Sequence, residues 1–404
     1  MRPGARLHVD PVALALVAGI VLLGLVMVTS ASISIASRDG GDSFSFLERQ
    51  LVLCLVGTLL AALVFCIRTE YIDKMAWPLL IVAVVLLFVV LIPGVGHVVN
   101  GSRRWIRVLG FNFQASELAR VLTLIFIASY AVRREEELRS TALGLIKPML
   151  LLGFIALLLL AEPDFGAASV LLMAGFGILF VAGARLRFVL LVAAACAGAL
   201  TLLVLLVPYR MARVTSFLDP WADPFNSGFQ LTQSLIAIGR GEWFGVGLGE
   251  SVQKLFYLPE AHTDFLFAVL AEELGLVGVA ATLALFIGLV WRSFWIAQLA
   301  SRANLKFQAY LAAGFGIWLG CQALINIGVN MGVLPTKGLT LPLMSYGRSS
   351  MIVTLAWVGL LLRVYHEAMQ SSRGMATVRR SEGGRSEGGR SGGSRSLRAA
   401  GVEV

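Results

Sequence analysis

Ten apolar runs separated by short polar connections constrain the fold of this chain more than any other feature. An α-helix rises 1.5 Å per residue, so a run of about 20 residues crosses roughly 30 Å of hydrocarbon. Backbone groups in lipid must pair within their own segment, which favours helices. The sequence therefore predicts an all-α, polytopic integral membrane protein with about ten spans. The spans lie near residues 12–35, 48–67, 76–93, 115–132, 143–161, 165–183, 188–207, 265–290, 308–329 and 350–366.

Composition argues against a water-soluble helical protein. Hydrophobic residues make up 58% of the chain and charged residues only 14%, whereas a soluble domain carries about 25% charged residues. The four cysteines lie in or at the end of apolar runs and lack the spacing of a metal site or a disulfide framework (Cys54, Cys66, Cys196 and Cys321). No nucleotide-binding loop or zinc-protease motif is evident, so we expect no organic cofactor and no nucleic-acid partner.

The charges of the connections predict how the chain lies in the membrane. Arginine and lysine occupy every second connection, which marks that side as cytoplasmic and places both termini there. Residues 1–11 are then a cytoplasmic N-terminus, 12–367 the membrane domain and 368–404 a basic cytoplasmic tail. The tail repeats Arg-Ser-Glu-Gly-Gly and has few apolar residues, so we expect disorder.

Two outer connections are basic, against this pattern. Arg103 and Arg104 lie in the 94–115 connection, and Arg213 and Lys254 lie in a large periplasmic loop, 208–264, between spans seven and eight. These residues bind either an anionic outer-face ligand, such as a lipid diphosphate, or lipid headgroups.

Polar clusters also stand at the predicted outer ends of helices. Glu117 and Arg120, one turn apart, form a structural ion pair or meet a ligand together. Asp164 suits a helix N-terminus, where capping explains it sufficiently. His262 and Asp264 enter span eight, and Asp264 is either a cap or a general base. Glu272 and Glu273 follow two turns deeper, where a lipid-facing helix would not tolerate them.

The last polar region combines a helix stripe with a loop. Gln322, Asn326 and Asn330 recur every fourth residue along span nine, as an interhelical seam or a substrate path. The loop that follows, 334–350, contains Lys337 and Ser345 among prolines, glycines and hydroxyl groups.

These segments together resemble the SEDS family (shape, elongation, division and sporulation), and within it the cell-division branch. The resemblance covers residues 12 to about 367. The matching segments are Gly101–Ile106, Gln114–Arg120, Glu162–Gly166, Phe217–Trp221, Tyr257–Phe265, Glu272–Gly275 and the 334–350 loop. Departures from the usual pattern are Ala115, Arg120, Glu162 and Arg348.

The resemblance implies a peptidoglycan glycosyltransferase of the bacterial inner membrane that polymerises lipid II at the division septum. Its implied partners are lipid II and lipid-linked glycan, a class B penicillin-binding transpeptidase and other membrane proteins of the division machinery. The family's essential aspartate falls on Asp264, its motif glutamate on Glu117, and its motif arginines on Arg103 and Arg104.

We interpret Asp264 as the general base of an inverting transfer from a lipid-diphosphate donor. A divalent cation, Mg or Mn, is the candidate cofactor, with no ligands assigned. The predicted substrate-binding residues are Arg103, Arg104, Glu117, Arg120, Asp164, Arg213, Lys254, His262, Lys337 and Ser345. The competing functions are a lipid II flippase, which needs polar residues through the membrane depth, and a non-catalytic scaffold that recruits a transpeptidase.

Overall fold

The computed structural model describes residues 7–38, 42–99, 102–108, 111–206, 211, 215, 217–226, 228–255 and 257–388. Its helices are α1 (Pro11–Arg38), α2 (Ser45–Cys66), α3 (Thr69–Lys74), α4 (Ala76–Leu91), α5 (Ala115–Arg133), α6 (Glu135–Ser140), α7 (Ala142–Ala161), α8 (Phe165–Val181), α9 (Leu186–Leu205), α10 (Phe229–Gly241), α11 (Leu266–Arg302), α12 (Lys306–Asn330) and α13 (Arg348–Gly388). Three short strands complete the described chain: β1 (Gly96–Val99), β2 (Ser102–Val108) and β3 (Phe111–Gln114).

Each predicted span corresponds to one apolar helix. Within the described residues, seven helices are long and apolar enough to cross a membrane: α1, α2, α5, α7, α11, α12 and the first part of α13. Helices α4 and α8 are apolar but shorter, with 16 and 17 residues, and α9 supplies a further 20 residues. The predicted all-α, polytopic membrane fold is confirmed.

Helix α12 lies in the centre of the bundle and packs against α5, α8, α11 and α13. Its Phe315 and Trp318 are fully buried, and Trp318 packs on Trp357 of α13 with ring centroids 4.9 Å apart. Small residues permit close packing elsewhere: a Cβ on Gly359 of α13 would lie 2.3 Å from the carbonyl oxygen of Ala61 in α2. This dense packing fixes the helix ends that carry the polar clusters.

The 94–115 connection forms an antiparallel sheet of order β1-β2-β3, which the sequence interpretation missed. Trp105 of β2 pairs with His97 of β1 on one side and with Gln114 of β3 on the other. Arg103 and Arg104 lie on β2, and β3 leads directly into α5. Because neighbouring strand residues point to opposite faces, the two arginines have different surroundings.

The predicted eighth span, 265–290, is wrong as a continuous helix. Gly275 interrupts α11 with φ 62° and ψ −161°, which separates an outer half-helix, Leu266–Leu274, from the membrane-crossing part. The loop after α10 satisfies the freed backbone groups: Val246 N donates to Glu272 O at 2.9 Å, and Leu276 N donates to Glu242 O at 2.9 Å. A Cβ on Gly275 would lie 2.3 Å from Gly245 N, so only glycine fits.

The C-terminal region also differs from its prediction. The sequence interpretation starts a disordered tail at residue 368, whereas α13 continues to Gly388. Contacts within the helix hold the first of these residues: Ser372 Oγ donates to Ala368 O at 2.8 Å, and Gln370 Nε2 lies 2.9 Å from His366 Nε2. Residues 389–404 lie outside the described residues.

Candidate functional site

Asp264 immediately precedes α11 and is fixed through its backbone. We call this end of the bundle the outer end, following the charge pattern of the connections. The carbonyl oxygen of Asp264 accepts hydrogen bonds from Asn326 Nδ2 at 2.8 Å and Asn330 Nδ2 at 3.0 Å. Asn330 Oδ1 accepts from Ala268 N at 3.1 Å, and Gln322 Nε2 donates to Thr340 O at 3.1 Å. The polar stripe of α12 is therefore an interhelical seam that positions the start of α11.

The Asp264 carboxylate is half-buried, and no described residue hydrogen-bonds to it. Burial, followed by the charges of Glu260 and Asp164, raises its pKa to about 7, and the nearby Arg104 partly opposes this rise. Gly338 of the 334–350 loop covers it, and a Cβ there would lie 3.3 Å from Asp264 Oδ2. Such a carboxylate has a pKa suited to taking up a proton near neutral pH.

Arg104 connects the sheet to the turn between α7 and α8. Its Nε donates to Glu162 O at 2.9 Å, and a second nitrogen donates to Pro163 O. Its charge lowers the pKa of Asp264, so the guanidinium lies close enough to act on that site electrostatically. The structure thus brings together Arg104 and Asp264, which are 160 positions apart in the sequence.

Two carboxylates in that turn have different environments. Asp164 caps α8: its Oδ1 accepts from Ala167 N at 2.9 Å, and its Oδ2 accepts from Gln114 Nε2 at 3.3 Å. Glu162 is fully buried, and neither of its carboxylate oxygens has a partner among the described residues. Burial, reinforced by the charge of Asp164, raises the pKa of Glu162 to about 8, so it is protonated at neutral pH. The sequence places Glu162 in a matching segment and as a departure from the family pattern, but no role was predicted for it.

Glu117 and Arg120 form a buried ion pair within α5. Arg120 is 1% exposed and also donates to Gln322 Oε1 of α12 at 3.0 Å. Of the two alternatives, the geometry favours the structural ion pair, because both groups are used inside the bundle.

The prediction that Lys254 binds substrate is wrong for this structure. Its Nζ is buried and contacts Glu273 Oε1 at 2.9 Å, Ser30 Oγ at 3.1 Å and Gly249 O at 2.6 Å. An ammonium group has three donors, and all three are occupied. The neighbouring Glu272 pairs with Arg240 at 2.9 Å and accepts from Ser251 Oγ at 2.5 Å. Glu272 and Glu273 thus fasten the large loop to the outer half-helix.

Three further predicted ligands lie near the site with different roles. Lys337 Nζ lies 4.6 Å from the centroid of the Phe165 ring, and burial lowers its pKa. The His262 ring packs edge-on against Phe46 at 5.2 Å, and burial lowers the pKa of the imidazole. Ser345 Oγ accepts from Leu341 N at 3.0 Å within a turn, and its role as a ligand stays a prediction.

The remaining predicted ligands are Arg103 and Arg213. Arg103 donates to Leu91 O at 3.2 Å, while its buried Nε has no partner among the described residues. Arg213 lies outside the described residues.

Buried charges also occur at the opposite end of the bundle. Arg292 of α11 makes two hydrogen bonds to Asp10, at 2.7 and 3.0 Å, and Arg363 pairs with Glu367 at 2.7 Å. The expectation that polar clusters gather at the outer ends is therefore incomplete. Each of these pairs is internally satisfied, which suits a structural role.

Comparison with known proteins gives the relationships of the chain. The sequence model of the FtsW/RodA/SpoVE family, described as "Cell cycle protein", matches residues 11–370. The chain is 58% identical over 363 residues to the probable peptidoglycan glycosyltransferase FtsW of Thioalkalivibrio sulfidiphilus, covering 90% of each chain. It is 51% identical to the protein of the same name from Methylococcus capsulatus, covering 91% of this chain and 93% of that one.

A solved structure agrees with these relatives. A chain from work on the coordination of polymerization and crosslinking by a peptidoglycan synthase complex is 34% identical, with a TM-score of 0.71, covering 90% of this chain and all of that one. The resemblance to the SEDS family is confirmed, and this chain belongs to the FtsW/RodA/SpoVE family of cell cycle proteins.

Proposed function

We propose that the chain is a septal peptidoglycan glycosyltransferase that polymerises lipid II into glycan strands during cell division. The names of its relatives support the activity, since FtsW proteins 58% and 51% identical to it are called probable peptidoglycan glycosyltransferases. The observation that carries the chemistry is the half-buried Asp264 carboxylate, which no described residue hydrogen-bonds and whose pKa is raised to about 7.

In the proposed reaction, the 4-hydroxyl oxygen of an acceptor sugar forms a bond to the anomeric carbon of the donor. The bond from that carbon to the diphosphate oxygen breaks, and the diphosphate leaves with both bonding electrons. Asp264 takes the hydroxyl proton as the new bond forms, which gives inversion without a covalent intermediate. Arg104, whose charge acts on Asp264, stabilises the developing charge of the diphosphate.

A divalent cation fits this scheme only together with substrate. Among the described residues, no three histidine, cysteine or carboxylate side chains form a metal cluster. Magnesium is commonly held by one or two carboxylates plus substrate phosphates, and the unengaged oxygens of Asp264 suit that arrangement. Such an ion would neutralise charge on the leaving diphosphate.

The proposal includes an inner-membrane location at the septum, cytoplasmic termini and a class B transpeptidase partner. The charge pattern of the connections supports the orientation. The solved relative in a peptidoglycan synthase complex supports a synthase partner. The flippase alternative lacks support, because the buried charges Glu117, Arg120, Asp10 and Arg292 are paired with one another inside the bundle. The scaffold alternative gives no role to Asp264, whose pKa is raised.

The test is polymerisation of purified lipid II by the full-length chain reconstituted with the transpeptidase. Asp264→Asn should keep its thermal stability and its binding to the transpeptidase but lose about 10²–10⁴-fold in rate. Glu250→Gln, an exposed outer-loop carboxylate, is the matched control and should keep its activity. Chelation of divalent ions tests the cofactor. Normal polymerisation by Asp264→Asn contradicts the assignment, and lipid II movement across vesicles without polymerisation supports the flippase.

A further inference from the structure

An apolar cleft of about 440 Å³ lies where α10, the loop after it and the outer half of α11 meet. Phe267 and Ala271, each 1% exposed, form its floor. Trp243, Leu276 and Met331 line its mouth and are each about half exposed or more. Its volume is within the range of small-molecule sites, and a polar ligand would find no partners on its floor. Glu242 is the one charged residue of the lining, and its side chain is exposed.

The mouth opens on a surface that faces lipid. Beyond the break at Gly275, α11 exposes large apolar side chains at Val277, Ile287 and Trp291, which a water-facing helix would not present. Trp243 and the adjacent Phe244 are exposed at the outer end, where aromatic residues commonly mark the membrane interface. The hydrocarbon chain of a lipid in the outer leaflet therefore has direct access to the cleft.

The cleft lies along the outer half-helix of α11, which begins at Leu266, two residues after Asp264. Phe267 and Ala271 are four residues apart in this half-helix and so lie on one of its faces. Ala271 lies roughly 7.5 Å along the helix from Leu266. The break at Gly275 lies between Ala271 and Val279, both of which line the cleft, and so it shapes the space between them.

We propose that this cleft binds the isoprenoid chain of the lipid-linked sugar substrate and so holds its diphosphate near Asp264 and Arg104. The inference rests on the proposed function and adds the site for the lipid part of the substrate. Three properties support it: the apolar floor, the opening toward lipid, and the half-helix along the cleft, which begins two residues after Asp264. A phospholipid acyl chain is the competing occupant, because it has the same apolar chemistry without a link to Asp264.

The first experiment fills the cleft. Val279→Phe places a ring in it, and Ile238→Phe does so from α10. Val277→Phe makes the same substitution two residues away on the exposed surface and is the matched control. Each variant is assayed with lipid II carrying its long isoprenoid chain and with an analogue carrying a short one.

Both filled variants should lose at least about tenfold in kcat/KM for the long-chain substrate, through KM, as expected from excluding two methylene groups. The short-chain analogue should be used at the wild-type rate, which also shows that the variants fold. An equal loss of kcat/KM with both substrates, or no loss with either, overturns the proposal that the cleft binds the isoprenoid chain. If the wild-type chain polymerises neither substrate, the proposed function fails instead.

The second experiment measures occupancy without turnover. A polyprenyl diphosphate with a photoreactive tail, and phosphatidylglycerol with the same tail group, are irradiated with the wild-type chain in lipid nanodiscs. The polyprenyl probe should label peptides containing Ile238 or Val279, and Val279→Phe, but not Val277→Phe, should remove this label. Labelling by the phospholipid alone, or labelling that Val279→Phe leaves unchanged, overturns the proposal.

Discussion

The side-chain amide of Asn326 holds the backbone of Asp264 and the loop after α12 together. Its Nδ2 donates to Asp264 O at 2.8 Å and to Leu339 O at 2.5 Å. Both hydrogen atoms of the amide are thus used, one on the residue that carries the proposed chemistry and one on the loop that covers it. Asn326 is therefore a positioning residue, because it acts on the site through other groups.

Replacing Asn326 by leucine should reduce polymerisation mainly through kcat, because Leu339 O loses its donor and Asp264 O keeps only Asn330 Nδ2, while no substrate contact is removed. The free energy of unfolding should fall by about 1–3 kcal/mol, the usual cost of buried unsatisfied groups. Asn226→Leu, at an exposed position in the large loop, is the control. A variant with wild-type kcat and a raised KM would assign Asn326 to substrate binding instead.

The pH dependence of kcat/KM should report the charges around Asp264. A general base works when deprotonated, so the rate should fall as the pH drops below about 7, where Asp264 becomes protonated. Glu260 raises the pKa of Asp264 and Arg104 lowers it. Glu260→Gln should therefore move the acid limb to lower pH, and Arg104→Gln should move it to higher pH. Shifts of the same sign in both variants would show that another group controls the limb.

Glu162→Gln should stabilise the protein at neutral pH. The pKa of Glu162 is raised to about 8 by burial, so the folded chain binds a proton that the unfolded chain releases near pH 4.3. Its contribution to stability is fully present below that pH and is lost as the pH rises to about 8. Thermal unfolding is measured for wild type and variant from pH 5 to 9. The difference between their unfolding temperatures should grow up to about pH 8. Parallel curves would mean that Glu162 is ionised and paired.

Lys254→Met should strongly destabilise the chain, because it leaves the buried Glu273 carboxylate without its cation. Breaking a buried pair typically costs about 3–5 kcal/mol. The double variant Lys254→Met with Glu273→Gln should recover part of this loss, since it removes both charges. If Lys254→Met instead keeps full stability and raises KM for lipid II, the original prediction of a diphosphate ligand is restored.

The sequence predicted the fold more accurately than it predicted the roles of the charged residues. It placed Asp264, Arg104 and Asp164 at one end, and the structure brings them together. It assigned Lys254 to substrate, although protein groups occupy all three of its donors. A charged residue in an outer loop has the same sequence pattern whether it binds a ligand or a glutamate that folding brings near. Its partner could therefore not be predicted from the sequence.

The sequence by itself determined that this chain folds as a bundle of about ten membrane-crossing helices, because apolar runs of about 20 residues have the length of a spanning helix and a helix pairs its backbone groups within the run. The tertiary structure alone decided where α11 breaks. A glycine within an apolar helix is common, and only the close approach of Gly241, Phe244 and Gly245 leaves no room for a Cβ at Gly275. It also decided which carboxylate stays without a partner. Burial and neighbouring charge set the pKa of Asp264, and both depend on residues that are distant in the sequence.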